Sequence, residues 1–481
     1  MDFLTITFGL FFILSVAGYY ILPKKIRWLW LLCSSLIFYM WAVPKMALYL
    51  LFSAATTWLY GFWIQKRRNA GETKKGKGLL ALVIALNGGV LFLVKWYPFL
   101  ESRLHLPALQ LLAPVGISFY TLQVIGYCVD VYRGTITAQK SFLRYLLFVS
   151  FFPQLLQGPI PRYEQLGGQL YEGHDFDYRE VKFGLQQMLW GFFLKMVIAD
   201  RTALFVNTVF PEYQFYDGTI IAVAAVLYSI QLYTDFLGCV CIAMGAAQVY
   251  GVRLPRNFDR PYFAVSIKDF WRRWHISLSS WLRDYIYIPL GGSRRGSFRK
   301  YVNLMLTFFV SGLWHGVGFK YIVWGLLQGG YQIAGELLAP LKKGALKLFC
   351  IEEESALHRG IQRACTFVLV TAGWVIFRAN GVKAGLDMLW RIVTDAAPWV
   401  FWNGELYQCG IESRRMFALA ACILLAFGAE CLQGKGSIRE MLERQHMFVR
   451  WAVYLGGIAL VLVLGVYGPE YSAAQFLYGQ F

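Results

Sequence analysis

Two histidines stand out because of the residues around them. His315 sits in the apolar run Asn303-Leu-Met-Leu-Thr-Phe-Phe-Val-Ser-Gly-Leu-Trp-His-Gly-Val-Gly318, in a chain with only six histidines among 481 residues. An imidazole in a hydrophobic segment is costly unless something satisfies it. An ionisable group at membrane depth is by default a functional candidate. Imidazole takes and gives a proton near neutral pH, so His315 suits a general base, or a nucleophile in acyl transfer. A histidine hydrogen-bonded between helices explains the same residues. The second, His275, lies in Trp271-Arg-Arg-Trp-His-Ile-Ser-Leu-Ser-Ser-Trp281. On a helix, positions 271, 274, 275 and 278 share one face. That groups Trp271, Trp274, His275 and Leu278 and turns Arg272 and Arg273 elsewhere. An interfacial histidine beside an aromatic belt is the alternative.

Other residues carry weaker signals. Asp235, in Gln231-Leu-Tyr-Thr-Asp-Phe-Leu-Gly238, is an acid inside an apolar span. It could orient a histidine, pair with an arginine, or join two helices. Lys195, in Gly191-Phe-Phe-Leu-Lys-Met-Val-Ile-Ala-Asp200, is expected to snorkel. Three prolines and a glycine interrupt Phe151-Phe-Pro-Gln-Leu-Leu-Gln-Gly-Pro-Ile-Pro-Arg162. Broken backbone at this depth forms the wall of a tunnel or pocket, unless it is simply a helix end at the interface. The nine cysteines are scattered, with only Cys239 and Cys241 close together, and no metal site is expected. Phosphate-loop, HExxH and GxSxG patterns are all missing, so ATP-driven transport and zinc proteolysis gain no support.

The elements that must position these residues are membrane helices. Hydrophobic residues make up 57% of the chain and charged residues 15%, against about 25% charged in soluble proteins. That excludes a soluble globular protein. Apolar stretches, among them 3–22, 46–64, 79–97, 218–248, 301–317, 320–339 and 449–467, predict an all-α polytopic membrane protein with about 11–13 embedded helices. The first stretch lacks a basic region before it and a cleavage site after it, so it reads as a retained span. Lys24, Lys25 and Arg27 follow that stretch, and Lys66, Arg67 and Arg68 follow the stretch 46–64. The positive-inside rule then puts the N-terminus on the outer side of the membrane. The net charge of +18 reads as loop topology and contact with anionic lipid rather than nucleic-acid binding. The segment 253–300 holds eleven Lys/Arg against three acids, interleaved with Trp271, Trp274 and Trp281, as suits a helix lying in the interface. No soluble domain or repeat is evident, so residues 1–481 read as one integral-membrane domain with its chemistry about 253–318.

Several blocks together resemble the membrane-bound O-acyltransferases, in particular the bacterial branch of alginate O-acetylases and teichoic acid D-alanyl transfer proteins. They are Pro114-Val-Gly-Ile-Ser-Phe-Tyr-Thr-Leu-Gln123, Asp130-Val-Tyr-Arg133, the 152–162 run, Asn257-Phe-Asp-Arg-Pro-Tyr262, Asp269 to Trp281, Ile288-Pro-Leu-Gly-Gly292, Ser311-Gly-Leu-Trp-His-Gly316 and Gly373-Trp-Val-Ile-Phe-Arg378. The last of these, with the end Gln475-Phe-Leu-Tyr-Gly-Gln-Phe481, is closer to the alginate-acetylase type. One block departs: after Gly238 the family often has Ser-Asp, where this chain has Cys239-Val-Cys241.

The resemblance implies a helical bundle with a thinned centre or tunnel. It makes His315 the signature histidine and gives His275 a supporting part. Arg272 and Arg273 become candidates to hold donor phosphates. The implied reaction moves an acyl group, most simply acetyl, from a cytoplasmic thioester, acetyl-CoA or an acyl-carrier protein, for O-acetylation of an extracellular or cell-wall polysaccharide. No resident cofactor is implied. An extracytoplasmic acetyltransferase partner would complete the transfer. The alternatives are D-alanyl transfer to teichoic acid, fatty acyl transfer, or a polysaccharide or lipid transporter without covalent chemistry.

Overall fold

Side-chain oxygens of Thr5, Ser141, Ser266 and Ser355 each accept a backbone N–H from three residues on, and so start the helices Ile6–Ile21, Phe142–Ser150, Ile267–Arg273 and Ala356–Arg378. In the computed structural model, which describes residues 3–41, 44–107, 109 and 114–467, no strand occurs among the described residues. The end Gln475–Phe481 lies outside them. Among the described residues, six helices are long and apolar enough to cross a membrane: Pro44–Asn69, Thr73–Leu104, Gly218–Val249, Ala356–Arg378, Ser413–Gln433 and Met447–Leu464. The protein is therefore an all-α polytopic membrane protein. The 11–13 embedded helices expected from apolar stretches include short and interrupted ones, which this length criterion leaves out. The 143–158 stretch breaks after Ser150 and resumes as Phe152–Leu155, and the 183–199 stretch widens into π geometry over Phe193–Ala199.

The described chain groups into two compact units. One contains the residues up to Gly191 together with Cys239–Arg256, and the other Phe192–Gly238 and the residues from Asn257 onward. In the first unit, the helix Ile117–Arg133 is buried nearly all round. Polar contacts join helices there. Tyr250 OH donates to Ser15 Oγ (2.8 Å), and Ser15 Oγ to Ser34 Oγ (3.0 Å), while the hydroxyls of Thr57 and Tyr145 lie 2.9 Å apart. Lipid tails supply little hydrophobic drive between helices, so such bonds and close packing hold them together. The interrupted 151–162 segment belongs to this unit. The amides of Gln123 and Gln154 both donate to the Phe148 carbonyl, which the break releases (2.7 and 3.1 Å).

The second unit contains the candidate site. Its elements are α1 (Gly218–Val249, of which Gly218–Gly238 belongs here), α2 (Ile267–Arg273), α3 (Ile276–Leu282), α4 (Ser297–His315), α5 (Phe319–Leu337), α6 (Ala339–Leu348) and α7 (Ala356–Arg378). Helices α4 and α5 cross at glycines. A Cβ on Gly312 would meet the Tyr321 carbonyl, and one on Gly325 the Phe308 carbonyl. Those obstacles are backbone and cannot rotate away. Gly325→Leu is therefore expected to destabilise the unit by at least about 1–3 kcal/mol, the usual cost of overpacking. A lowered unfolding midpoint in detergent would show it, and an unchanged midpoint would mean that the crossing is looser than described.

Lys195 does not snorkel. It is only 2% exposed, and its ammonium lies 2.6 Å from Asp200 and 2.7 Å from Asp235 on α1. The π geometry explains the first contact. In an α-helix, side chains five residues apart point about 140° away from each other. The wider turn over Phe193–Ala199 brings Asp200 back over Lys195. Asp235 thus has a lysine partner, and in that role it joins two helices.

Candidate active site

The chain between Trp271 and Leu278 is not one helix. Helix α2 ends at Trp274, and His275 adopts a left-handed conformation (φ 45°, ψ 54°) before α3 begins. An L-residue held there costs about 1–2 kcal/mol, so something must hold it. The expected shared face of Trp271, Trp274, His275 and Leu278 is broken for this reason. Asn257 supplies the hold. Its Oδ1 accepts from Ser277 N–H (3.1 Å), Ser277 Oγ (2.8 Å) and His275 Nδ1 (3.3 Å). Its backbone carbonyl accepts from Ile276 N–H (2.8 Å). The backbone donor at Ser277 decides which side-chain atom of Asn257 is oxygen. Asn257→Ala strands these donors in a buried site and is expected to cost about 1–3 kcal/mol. It is also expected to lower turnover more than donor affinity. Wild-type turnover with an unchanged unfolding midpoint would count against this bracing.

His315 ends α4 and is buried. Its Nδ1 lies 2.7 Å from the Ser311 carbonyl. A carbonyl only accepts, so Nδ1 carries the proton and the neutral ring keeps its lone pair on Nε2. The helix that carries His315 therefore also sets its tautomer. Around the ring stand Trp324 (centroids 4.8 Å apart), Trp314 (5.0 Å) and Phe377 (6.1 Å).

His275 is brought to the same cluster. It packs on Phe236 of α1 at 4.7 Å and on Trp314 at 6.0 Å, so one indole neighbours both histidines. His275 lies between two short helices, outside the six long apolar ones. Burial holds its imidazole well below the usual histidine range, so it is neutral at physiological pH. With Nδ1 turned to Asn257 Oδ1, it too presents Nε2 as the basic nitrogen.

A cavity of about 1300 Å³ runs among α2, α3, α4, α5, α6 and α7. Buried Trp271, Leu278, Thr307, Phe308 and Ser311 line part of it. Exposed Lys268, Arg272, Arg283 and Lys342 line another part. Ser311 connects the cavity to His315, because its carbonyl holds the imidazole. Neither histidine lines the cavity itself. Arg272 lines it, whereas Arg273 does not: its Nε donates to Asp269 (3.0 Å) and its carbonyl accepts from Asp259 N–H (2.9 Å). The two arginines, adjacent in sequence, are thus separated by the helix they share.

Asn257 stands eighteen residues before His275 and has no periodic relation to it. Its only sequence signal is its place at the head of Asn257-Phe-Asp-Arg-Pro-Tyr262. The aromatic surround of Trp324 and Phe377 comes from α5, read from the sequence as an ordinary apolar span, and from α7, whose block Gly373-Trp-Val-Ile-Phe-Arg378 carries a resemblance but no assigned role.

The model of the MBOAT, membrane-bound O-acyltransferase, family matches residues 136–377, which include every site residue named above. The chain is 35% identical to the probable alginate O-acetylase AlgI of Pseudomonas putida, over 79% of this chain and 77% of that protein. It is 32% identical to the peptidoglycan O-acetyltransferase of Helicobacter pylori, over 79% of this chain and 76% of that one. With the teichoic acid D-alanyltransferase of Bacillus subtilis it shares 31% identity over 49% of this chain and 62% of that protein.

Proposed function

The chain belongs to the membrane-bound O-acyltransferase family, and from that premise we propose that it transfers acetyl groups from a cytoplasmic thioester toward an extracytoplasmic polysaccharide. The observation that carries this reading is the bond from His315 Nδ1 to the Ser311 carbonyl, at the wall of a cavity with a basic rim. With the proton on Nδ1, Nε2 is the basic nitrogen that takes the proton of an acceptor hydroxyl. The oxygen then attacks the thioester carbonyl, a C–O bond forms, and the C–S bond breaks. The leaving thiolate takes the proton back from His315, so the base is regenerated.

The basic rim suits a donor that bears phosphates, either acetyl-CoA or an acylated carrier protein, and Arg272 is the rim residue on α2. Lys268, Arg272, Arg283, Lys300 and Lys342 all line the cavity, as suits a cytoplasmic approach. His275 supports the site by packing on Trp314, the indole it shares with His315. Acetyl fits better than D-alanyl, whose ammonium needs an acidic partner. Among the described residues that line the cavity, Glu336 is the sole acid, and Lys300 already pairs with it. An extracytoplasmic acetyltransferase would receive the group or place it on the polymer.

Donor turnover is the test. Purified protein in proteoliposomes, given labelled acetyl-CoA and a soluble carbohydrate acceptor, is expected to release free CoA and label the acceptor. Movement of carbohydrate across the bilayer with no thioester consumed would make the protein a transporter instead.

A further inference from the structure

One face of α4 leads from the basic rim of the cavity to His315. Lys300, Leu304, Thr307 and Ser311 follow one another at three or four residues and all line the cavity, and His315 is the next position on that face. From Lys300 to Ser311 the helix rises about 16 Å, and Ser311 is its last residue along the cavity. Among the described residues, three buried hydroxyls line this space: Thr307, Ser311 and Thr366. Two of them are already committed. Thr307 Oγ1 donates to the Asn303 carbonyl (2.7 Å) and Thr366 Oγ1 to the Gln362 carbonyl (2.7 Å), each four residues back on its own helix. Ser311 does not follow them. Its Oγ lies 3.4 Å from His315 Nδ1 instead. That nitrogen carries a proton, which it gives to the Ser311 carbonyl at 2.7 Å. Toward Nδ1, therefore, Oγ is an acceptor at most, and its own proton has no acceptor among the described residues. The same proton on Nδ1 excludes Ser311 as a nucleophile, because a protonated nitrogen cannot activate the hydroxyl. What remains is a buried donor on the cavity wall, one helical turn from the base. Buried donors are nearly always paired, so this one marks where an acceptor on the substrate belongs.

We propose that the Ser311 hydroxyl donates to the carbonyl oxygen of the thioester and holds that carbonyl beside His315. The inference rests on the acyltransferase reading above. As the acceptor oxygen bonds to the carbonyl carbon, its proton passes to His315 Nε2 and the π pair moves onto the carbonyl oxygen. The hydrogen bond from Ser311 strengthens against that charge. The pair then returns, the C–S bond breaks, and the thiolate takes the proton from His315. Ser311 keeps its own proton throughout. A donor held in place by a buried helix needs little reorganisation as the charge develops. One residue thus has two parts: its carbonyl fixes the proton on Nδ1, and that proton leaves its hydroxyl to the substrate.

Ser311→Ala isolates the hydroxyl, because the backbone carbonyl that holds His315 remains. In proteoliposomes with labelled acetyl-CoA and a soluble carbohydrate acceptor, it is expected to lower kcat by about 10²-fold, the lower end of what one such donor contributes. Binding of a thioether analogue that lacks the carbonyl should match wild type, because the lost bond is not made to it. A second readout follows the bond itself. With His315→Gln to block turnover, the carbonyl stretch of bound, isotope-labelled acetyl-CoA should lie at lower frequency than in the double variant His315→Gln, Ser311→Ala. A merely structural role would lower the unfolding midpoint and analogue binding along with kcat and leave that stretch unmoved. Folded Ser311→Ala with kcat within about threefold of wild type, or an equal stretch in the two proteins, would overturn the inference and leave the acyltransferase reading intact. So would an acetyl group recovered on Ser311, which would make it the nucleophile. If wild-type protein consumes no thioester, that reading fails and this inference fails with it.

Discussion

His315→Ala is expected to abolish acetyl transfer, with thioester consumption falling by at least about 10³-fold while the protein still folds and inserts. General base catalysis alone contributes about 10²–10⁴-fold. Here no second group can substitute in place. His275 is the nearest other imidazole in the cluster, but its Nδ1 is turned to Asn257 and its ring is clamped by Phe236 and Trp314. The structural cost of the change is modest. Its Nδ1 bonds the Ser311 carbonyl, which belongs to the same helix. His315→Gln separates the two contributions, because its amide can still donate to that carbonyl but cannot act as a base. Both variants should bind the donor with near wild-type KM and lose kcat. Undiminished transfer by His315→Ala would remove the histidine from the chemistry.

The second large effect is on stability. Lys195→Met leaves Asp200 and Asp235 buried side by side without their cation. Breaking a buried ion pair by removing one partner typically costs about 3–5 kcal/mol. The consequence should reach the site, because Asp235 precedes Phe236, whose ring packs on His275. The triple variant Lys195→Met, Asp200→Asn, Asp235→Asn is expected to recover most of the loss, since a buried pair contributes little over neutral groups of similar size. Unfolding midpoints in detergent, read beside turnover in proteoliposomes, compare the two. A single variant as stable as wild type would mean that water reaches these carboxylates. A triple variant no better than the single one would mean that the charges themselves specify the packing of α1.

The case of Lys195 shows why some of the site could not be read in advance. A lone lysine near the end of an apolar stretch ordinarily reaches for the interface. Nothing nearby marks the π turn that lifts Asp200 over it, and Asp235 arrives from a helix forty residues further on. His275 shows the same limit in another form. The spacing of 271, 274, 275 and 278 fits one helical face, but a single left-handed residue resets the direction of the chain, and the amide that stabilises it lies upstream of both helices. The neighbouring arginines, alike in type, divide between the cavity and an ion pair with Asp269.

From the sequence by itself came the class of protein, two candidate histidines and, through the resemblance of its motif blocks to a family, the kind of reaction. These follow from what each residue is and from short runs: apolar stretches must be helices in a bilayer, and an imidazole in such a stretch needs a purpose. Only the tertiary structure decided what holds His275, which indole it shares with His315 and which arginine meets the cavity. The physical reason is range. Helix formation and burial depend on neighbours within a few residues, whereas hydrogen-bond geometry depends on atoms that meet only after distant helices have packed.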